Sequence, residues 1–228
     1  MRCEIGSADV LQFRFDFSEK ELTSGQTVLM GRMQYILQNS FIGDFDSKWY
    51  VTDEVSWALD SYLMLGDRGR QLDLTGIPSD PWYDKFRSIE SFVAQSAADR
   101  FHFLDMVYGA GPINPFLKHE CEEALYDLPA KNRGFPQPFV DFPARAAKIR
   151  GPFIYRNDAI DYVLWENQDG EVFENLLPGG YADAVMIAAA NLMSKKSNIR
   201  SLFPQLSKLA RNEPFDWMNI PVLCKSDP

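Results

Sequence analysis

Two histidines, His102 and His119, are the only imidazoles in the chain, so any histidine-based acid–base or metal chemistry must run through them. His102 sits in the run Phe101-His102-Phe103, where a histidine satisfied inside the fold is the simpler reading. His119-Glu120-Cys121 looks like a ligand cluster, but adjacent residues on a helix point in different directions. No second Cys or His stands at the spacing of about two to four residues that zinc sites use. Paired carboxylates occur at Asp44/Asp46, Asp53/Glu54 and Glu122/Glu123, each without a companion base, and read as solvated faces or helix starts. Gly179-Gly180 could cradle an anion ahead of a helix, although Asp183 would oppose it. There is no nucleophile elbow, Walker lysine loop, dinucleotide fingerprint or calcium loop. These residues predict no catalytic set, no metal and no cofactor.

The elements that would position any site are legible at both ends. Leu11, Phe13, Phe15 and Phe17 alternate with Gln12, Arg14 and Asp16, the pattern of a half-buried strand. Ser24-Gly25 makes a turn, and Thr27 to Leu37 reads as an antiparallel second strand. A third short strand is expected after Phe41-Ile42-Gly43-Asp44, running to Val51. A helix capped by Thr52 or Asp53 follows, with Val55, Leu59, Tyr62 and Leu63 at helical spacing and Gly66 at its end. Trp82 to Gln95 fits a helix or a long strand, Arg100 to Tyr108 leans towards strand, and Phe116 to Leu125 towards a short helix. Prolines concentrate between Gly76 and Pro152, which predicts a long surface excursion or insert over 76–152. Asp158 to Trp165 reads as a strand, Asn167 to Gly170 as a hairpin turn, and Glu171 to Leu176 as its partner. Tyr181 to Lys195 predicts a helix, and Asn198 to Ala210 another that bends near Pro204. Strands first, helices after, with short turns, predict an α+β fold: a mostly antiparallel sheet with helices packed on one side, in a single domain spanning 1–228.

Composition bounds the function. At 228 residues with 46% apolar content, the chain can build its own core without disulfides or metals. Cys3, Cys121 and Cys224 are sparse and odd in number, so all three are expected as free thiols, and the chain is expected in the cytoplasm. No apolar run is long enough to span a bilayer, and the first residues lack a signal-peptide core. The net charge of −9 is uneven. Residues 151–193 hold seven acids and one base, an acidic pole that repels phosphate backbones and favours a cationic partner. The basic tail of Lys195, Lys196, Arg200, Lys208 and Arg211 contains Pro204 and no interleaved aromatics, which argues against nucleic-acid binding.

Several short motifs carry a resemblance. Ile5-Gly6-Ser7, then Phe13 and Phe15 in a strand, Gly31, Phe41-Ile42-Gly43-Asp44, and a capped helix leading to Gly66-Asp67-Arg68 occur in this order. Tyr162 to Asn167, Asp169-Gly170 and Gly180-Tyr181-Ala182-Asp183-Ala184-Val185 follow. The chain resembles bacterial polymorphic-toxin immunity proteins, in particular the immunity protein 42 family, over about the first 70 residues and 155–195. The Pro-rich middle departs from that pattern. The resemblance implies a non-enzymatic protein that binds and neutralises a cognate toxin domain; the acidic pole suits a basic one such as a nuclease, and charge and hydropathy predict no nucleic-acid or membrane partner. The contact surface expected from the charge distribution is Asp158, Asp161, Glu166, Asp169, Glu171 and Glu174, with Phe139 and Phe142 as aromatic anchors. Two other readings fit the same residues: an acidic phage-type inhibitor of a host nucleic-acid machine, and a hydrolase of unrecognised type using His102 or His119.

Overall fold

Alternation of apolar and polar side chains builds the first sheet. A computed structural model of the chain describes residues 2–65, 71, 72, 74, 79, 81, 83–108, 148–199, 201–209 and 219–225. Strands β1 (Arg2–Ser7), β2 (Leu11–Asp16), β3 (Ser18–Glu21), β4 (Thr27–Leu37), β5 (Ser40–Ile42), β6 (Lys48–Tyr50) and β10 (Val222–Lys225) form one antiparallel sheet. Its main order is β10-β1-β2-β4-β3, with β5 and β6 also on β4. The registers Phe15↔Met33 and Ser18↔Met30 are continuous, so β2 and β3 line one edge of β4 and break only at Phe17. Gly31 stands opposite that break. A Cβ there would lie 1.8 Å from the Asp16 carbonyl oxygen, so only glycine lets the two backbones approach as the sheet curls into a half-barrel.

Three further strands, β7 (Arg150–Asn157), β8 (Ile160–Glu166) and β9 (Val172–Pro178), make a second antiparallel sheet. Helix α1 (Val51–Leu65) packs on β4 and on α4 (Tyr181–Lys196), and α4 meets β1 and β2 of the first sheet and β9 of the second. Phe13, Phe15, Met33 and Tyr35 of the first sheet, Val55 and Leu59 of α1, Val185 and Ala189 of α4, and Ile154 and Val163 of the second sheet share one core. The opposite face of the second sheet carries Phe153, Tyr155 and Leu164. These join Phe92 of α2 (Ile89–Val93) with Phe101, Phe103 and Leu104 of α3 (Ala97–Tyr108) in a second core. Strands β7 and β8 are therefore covered on both faces, which explains their near-continuous apolar runs.

The expected α+β antiparallel architecture holds, and several local readings are corrected. Arg100 to Tyr108 is helix rather than strand, because Ser96 caps it. Ser96 Oγ accepts the Asp99 N–H at 3.1 Å, and nearly every residue from Arg100 to Met106 is buried, with His102 the exposed exception. Within Trp82 to Gln95, a 3-10 turn over Tyr83–Phe86 precedes α2. The second sheet gains β7, and Asp158 belongs to the turn before β8 rather than to a strand. Of the expected helix over Asn198 to Ala210, only α5 (Leu206–Leu209) forms, just beyond Pro204. Cys3 and Cys224 are not free thiols: they face each other across β1 and β10 and are joined by a disulfide. Cys121 and the Phe116–Leu125 reading lie outside the described residues. Among the described residues, no helix is long and apolar enough to cross a membrane.

Candidate partner-binding surface

The six acids expected to form one contact surface are separated by the second sheet into two groups. Asp161 is fully buried and accepts from Arg156 Nε at 2.6 Å and Arg156 Nη2 at 3.0 Å. It also accepts the Gly180 backbone N–H at 2.8 Å, at the start of α4. The anion at that helix N-terminus is thus the protein's own carboxylate, and the Gly179-Gly180 cradle is already filled. Arg156 Nη2 also reaches Asp183 Oδ2 at 3.3 Å. Burial works against the guanidinium charge, but hydrogen bonds to Asp161 and the charges of Asp161 and Asp183 outweigh it, so Arg156 titrates above the usual arginine range.

The α3 face of the sheet holds two more such pairs. Glu166, also buried, accepts from Arg150 Nη1 at 2.7 Å, while Arg150 Nη2 donates to buried Asp105. Burial pushes the Asp105 carboxyl up, although Arg150 pulls it back. Glu174 accepts from Arg100 Nη1 at 2.6 Å, beside a hydrogen bond between Arg100 and the Tyr155 hydroxyl. Burial raises the Tyr155 hydroxyl despite Arg100 next to it. Asp161, Glu166 and Glu174 therefore hold the sheet to α3 and α4 and are not an open acidic face. This corrects the expected contact set. The arginines supply charges that cannot be deprotonated at physiological pH, which the buried Asp161 and Glu166 carboxylates require.

Glu174 is exposed although it is paired with Arg100; Asp158, Asp169 and Glu171 are exposed at the two ends of the sheet. Asp158 occupies a left-handed turn position (φ 53°) between β7 and β8. Asp169 and Glu171 belong to the β8–β9 turn, where Asn167 Oδ1 accepts both their backbone N–H groups at 2.9 Å and Gly170 supplies the positive φ. The seven residues of β8 separate the two turns, about 20 Å at the rise of an antiparallel strand.

Aromatic and apolar groups beside these turns went unnoticed in the sequence. Phe173 is 38% exposed and stacks on Trp165, with ring centroids 4.6 Å apart. Trp165 is fixed in turn: Nε1 donates to Asn175 Oδ1 at 2.9 Å, Asn175 Nδ2 donates to Gln38 Oε1, and Gln38 Nε2 donates to the Leu176 carbonyl. On the other face, Ile160 and Leu176 are also exposed. Among the described residues, β9 has β8 as its only strand neighbour. Alternation of Phe173 with Glu174 and of Asn175 with Leu176 was the available signal of an edge strand.

Phe139, Phe142 and His119 lie outside the described residues. His102 projects from α3, with an edge contact to Phe101 at 5.9 Å between ring centroids. Among the described residues there is no group of three metal-ligating side chains. No protein-family model, curated protein or solved structure matches the chain.

Proposed function

We propose that this is a non-enzymatic, immunity-type protein that holds a basic toxin domain, such as a nuclease, against the hairpin end of its second sheet. The observation that carries the reading is the grouping of Asp169, Glu171 and the exposed Phe173 on one braced turn and edge strand. An aromatic anchor rimmed by charge is the usual anatomy of a binding hot spot. Exposed acids steer a cationic partner towards it, and the open β9 edge offers backbone groups for an added strand. Trp165, Asn175 and Gln38 hold the platform in place, so little ordering cost is left to pay on binding. The resemblance to immunity proteins implies the same class of partner, and the charge distribution and hydropathy support a cytoplasmic protein with neither nucleic acid nor membrane as its target.

The test is co-purification of a tagged chain from its native cell. The reading expects one basic protein in about equal amount, toxic when expressed alone and harmless when co-expressed. Replacing Phe173 with Ala should abolish that protection while leaving the fold intact. Retained protection in that variant would remove Phe173 from the contact and the reading with it.

A further inference from the structure

We propose that the outer face of the first sheet is a second docking site, for an acidic protein segment that carries apolar side chains. In this acidic protein the five bases of residues 1–60, Arg2, Arg14, Lys20, Arg32 and Lys48, gather on that one face with Lys225. The registers Arg2↔Lys225, Arg2↔Asp16 and Arg32↔Lys48 place these side chains in one row, since cross-strand partners share a face. Arg14 stands in the next row between Glu4 and Gln34. Lys20 Nζ lies 3.7 Å from Met30 Sδ, and Lys20, Arg32 and Lys48 line an open groove of about 750 Å³.

Among the described residues, Glu4 and Asp16 answer these six bases from the same sheet face, and Glu19, which also lines the groove, is turned to Ser197 and the Asn198 backbone N–H. Asp16 is bound by Arg32, through both its backbone N–H at 2.8 Å and its guanidinium. Glu4 is shared by Arg14 at 3.3 Å and Arg2 at 3.7 Å. Asp46 borders the band, while Asp44 is turned back into its own loop, where it accepts the backbone N–H groups of Asp46 and Ser47. Among the described residues the bases outnumber the acids on this face. Phe45 is laid over them by that loop, with the guanidinium carbons of Arg2, Arg32 and Arg14 at 4.8, 5.2 and 5.8 Å from its ring centre. The ring fixes the guanidinia side by side, and their forks match carboxylates.

The surroundings favour an acidic protein segment over nucleic acid. Phe41, Tyr50 and Leu223, 59%, 39% and 61% exposed, stand in the same face around the cations, at Ile36↔Phe41, Met30↔Tyr50 and Glu4↔Leu223. Apolar neighbours in a segment with spaced carboxylates would cover them. A continuous phosphate chain would meet Glu4 and Asp16 in the middle of the band, which a segment with spaced carboxylates avoids. Phe45 is engaged by the arginines and offers no free stacking platform of the kind single strands use.

The experiment is fluorescence anisotropy with a labelled eight-residue peptide of six glutamates and two phenylalanines, against the full chain. Saturable binding is expected, weakened at least fivefold on raising salt from about 50 to about 300 mM. It should weaken at least tenfold in a variant carrying Lys48→Glu and Lys225→Glu, both exposed, with circular dichroism confirming the fold. Lys48→Glu alone should weaken it at least threefold, so a folding defect in the double variant leaves the test intact. The variant Asp169→Asn with Glu171→Gln should bind the peptide as the parent does, which separates this face from the hairpin. Absence of saturable binding, or equal binding by the lysine variants, would overturn the proposal. Tighter binding of octathymidylate than of the peptide would overturn it in favour of nucleic acid.

Discussion

Arg156 and Asp161 meet across the β7–β8 turn through two hydrogen bonds, with Asp161 wholly buried and also bound to the start of α4. One carboxylate thus ties two strands and a helix together. Replacing it with Ala takes from the buried Arg156 its two shortest hydrogen bonds, leaving Asp183 at 3.3 Å, and strips Gly180 of its acceptor. Asp161→Ala should cost about 3–5 kcal/mol, read as a shift of the urea unfolding midpoint. A cost below about 1 kcal/mol, the range of exposed pairs, would show that solvent reaches the pair.

Gly31 provides a test of the first sheet that is independent of charge. Its missing Cβ is what admits the Asp16 carbonyl and Phe17 Cα to close approach. Gly31→Ala should force β4 away from β2 and β3 and destabilise by about 1–3 kcal/mol, as overpacking does. An unchanged unfolding midpoint would mean that the strands part there without cost.

The buried Asp105 gives a pH dependence with a definite sign. Its carboxyl titrates above the ordinary 3.8 because of burial, with Arg150 opposing. The folded state therefore holds this proton more firmly than the unfolded chain. The stability it contributes is complete below 3.8 and is lost as pH rises through the folded-state value. Asp105→Asn cannot titrate, so the stability of the variant relative to the parent should rise from about pH 4 upward. A relative stability that stays flat, or rises towards acid, would contradict the assignment. The comparison is made by urea unfolding at a series of pH values.

The Cys3–Cys224 bond fastens a strand that contributes nothing to the core, since all four residues of β10 are exposed. Cys224→Ser should lower stability by about 2–4 kcal/mol in oxidising buffer and by almost nothing in excess dithiothreitol. Thiol titration of protein taken from its native cell tests the cytoplasmic placement. Free thiols at both positions fit a reducing compartment, and a persistent disulfide points to an oxidising one.

The sequence was most legible where one face of an element meets solvent. Leu11 to Phe17 alternates because only one side of the strand enters the core, and the bounds of β4, read from its β-branched and aromatic content, are those expected. The hairpin at Asn167 to Gly170 is fixed by local turn chemistry and was equally clear. Where both faces are covered, periodicity disappears: Phe153-Ile154-Tyr155 belongs to two cores at once, so β7 merged with the Pro-rich stretch before it. Arg100 to Met106 misled for the same reason, with Ser96 and Asp99 the overlooked helix start. The acidic pole was a property of the chain rather than of its surface. Asp161, Glu166 and Glu174 find Arg156, Arg150 and Arg100, two of which lie outside the acidic strip. Charge counted along the chain cannot see pairs made across the fold, and the cationic outer face went unseen for the same reason.

The exposed acids that remain make the central claim measurable. Association of the chain with its co-purified basic partner should be followed by stopped flow, comparing the parent with Asp169→Lys and Glu171→Lys combined. Steering by these charges predicts an association rate at least tenfold lower in the variant, and a much shallower dependence on salt. An association rate and salt dependence equal to the parent's would contradict it, and would take the partner away from the acidic end of this sheet.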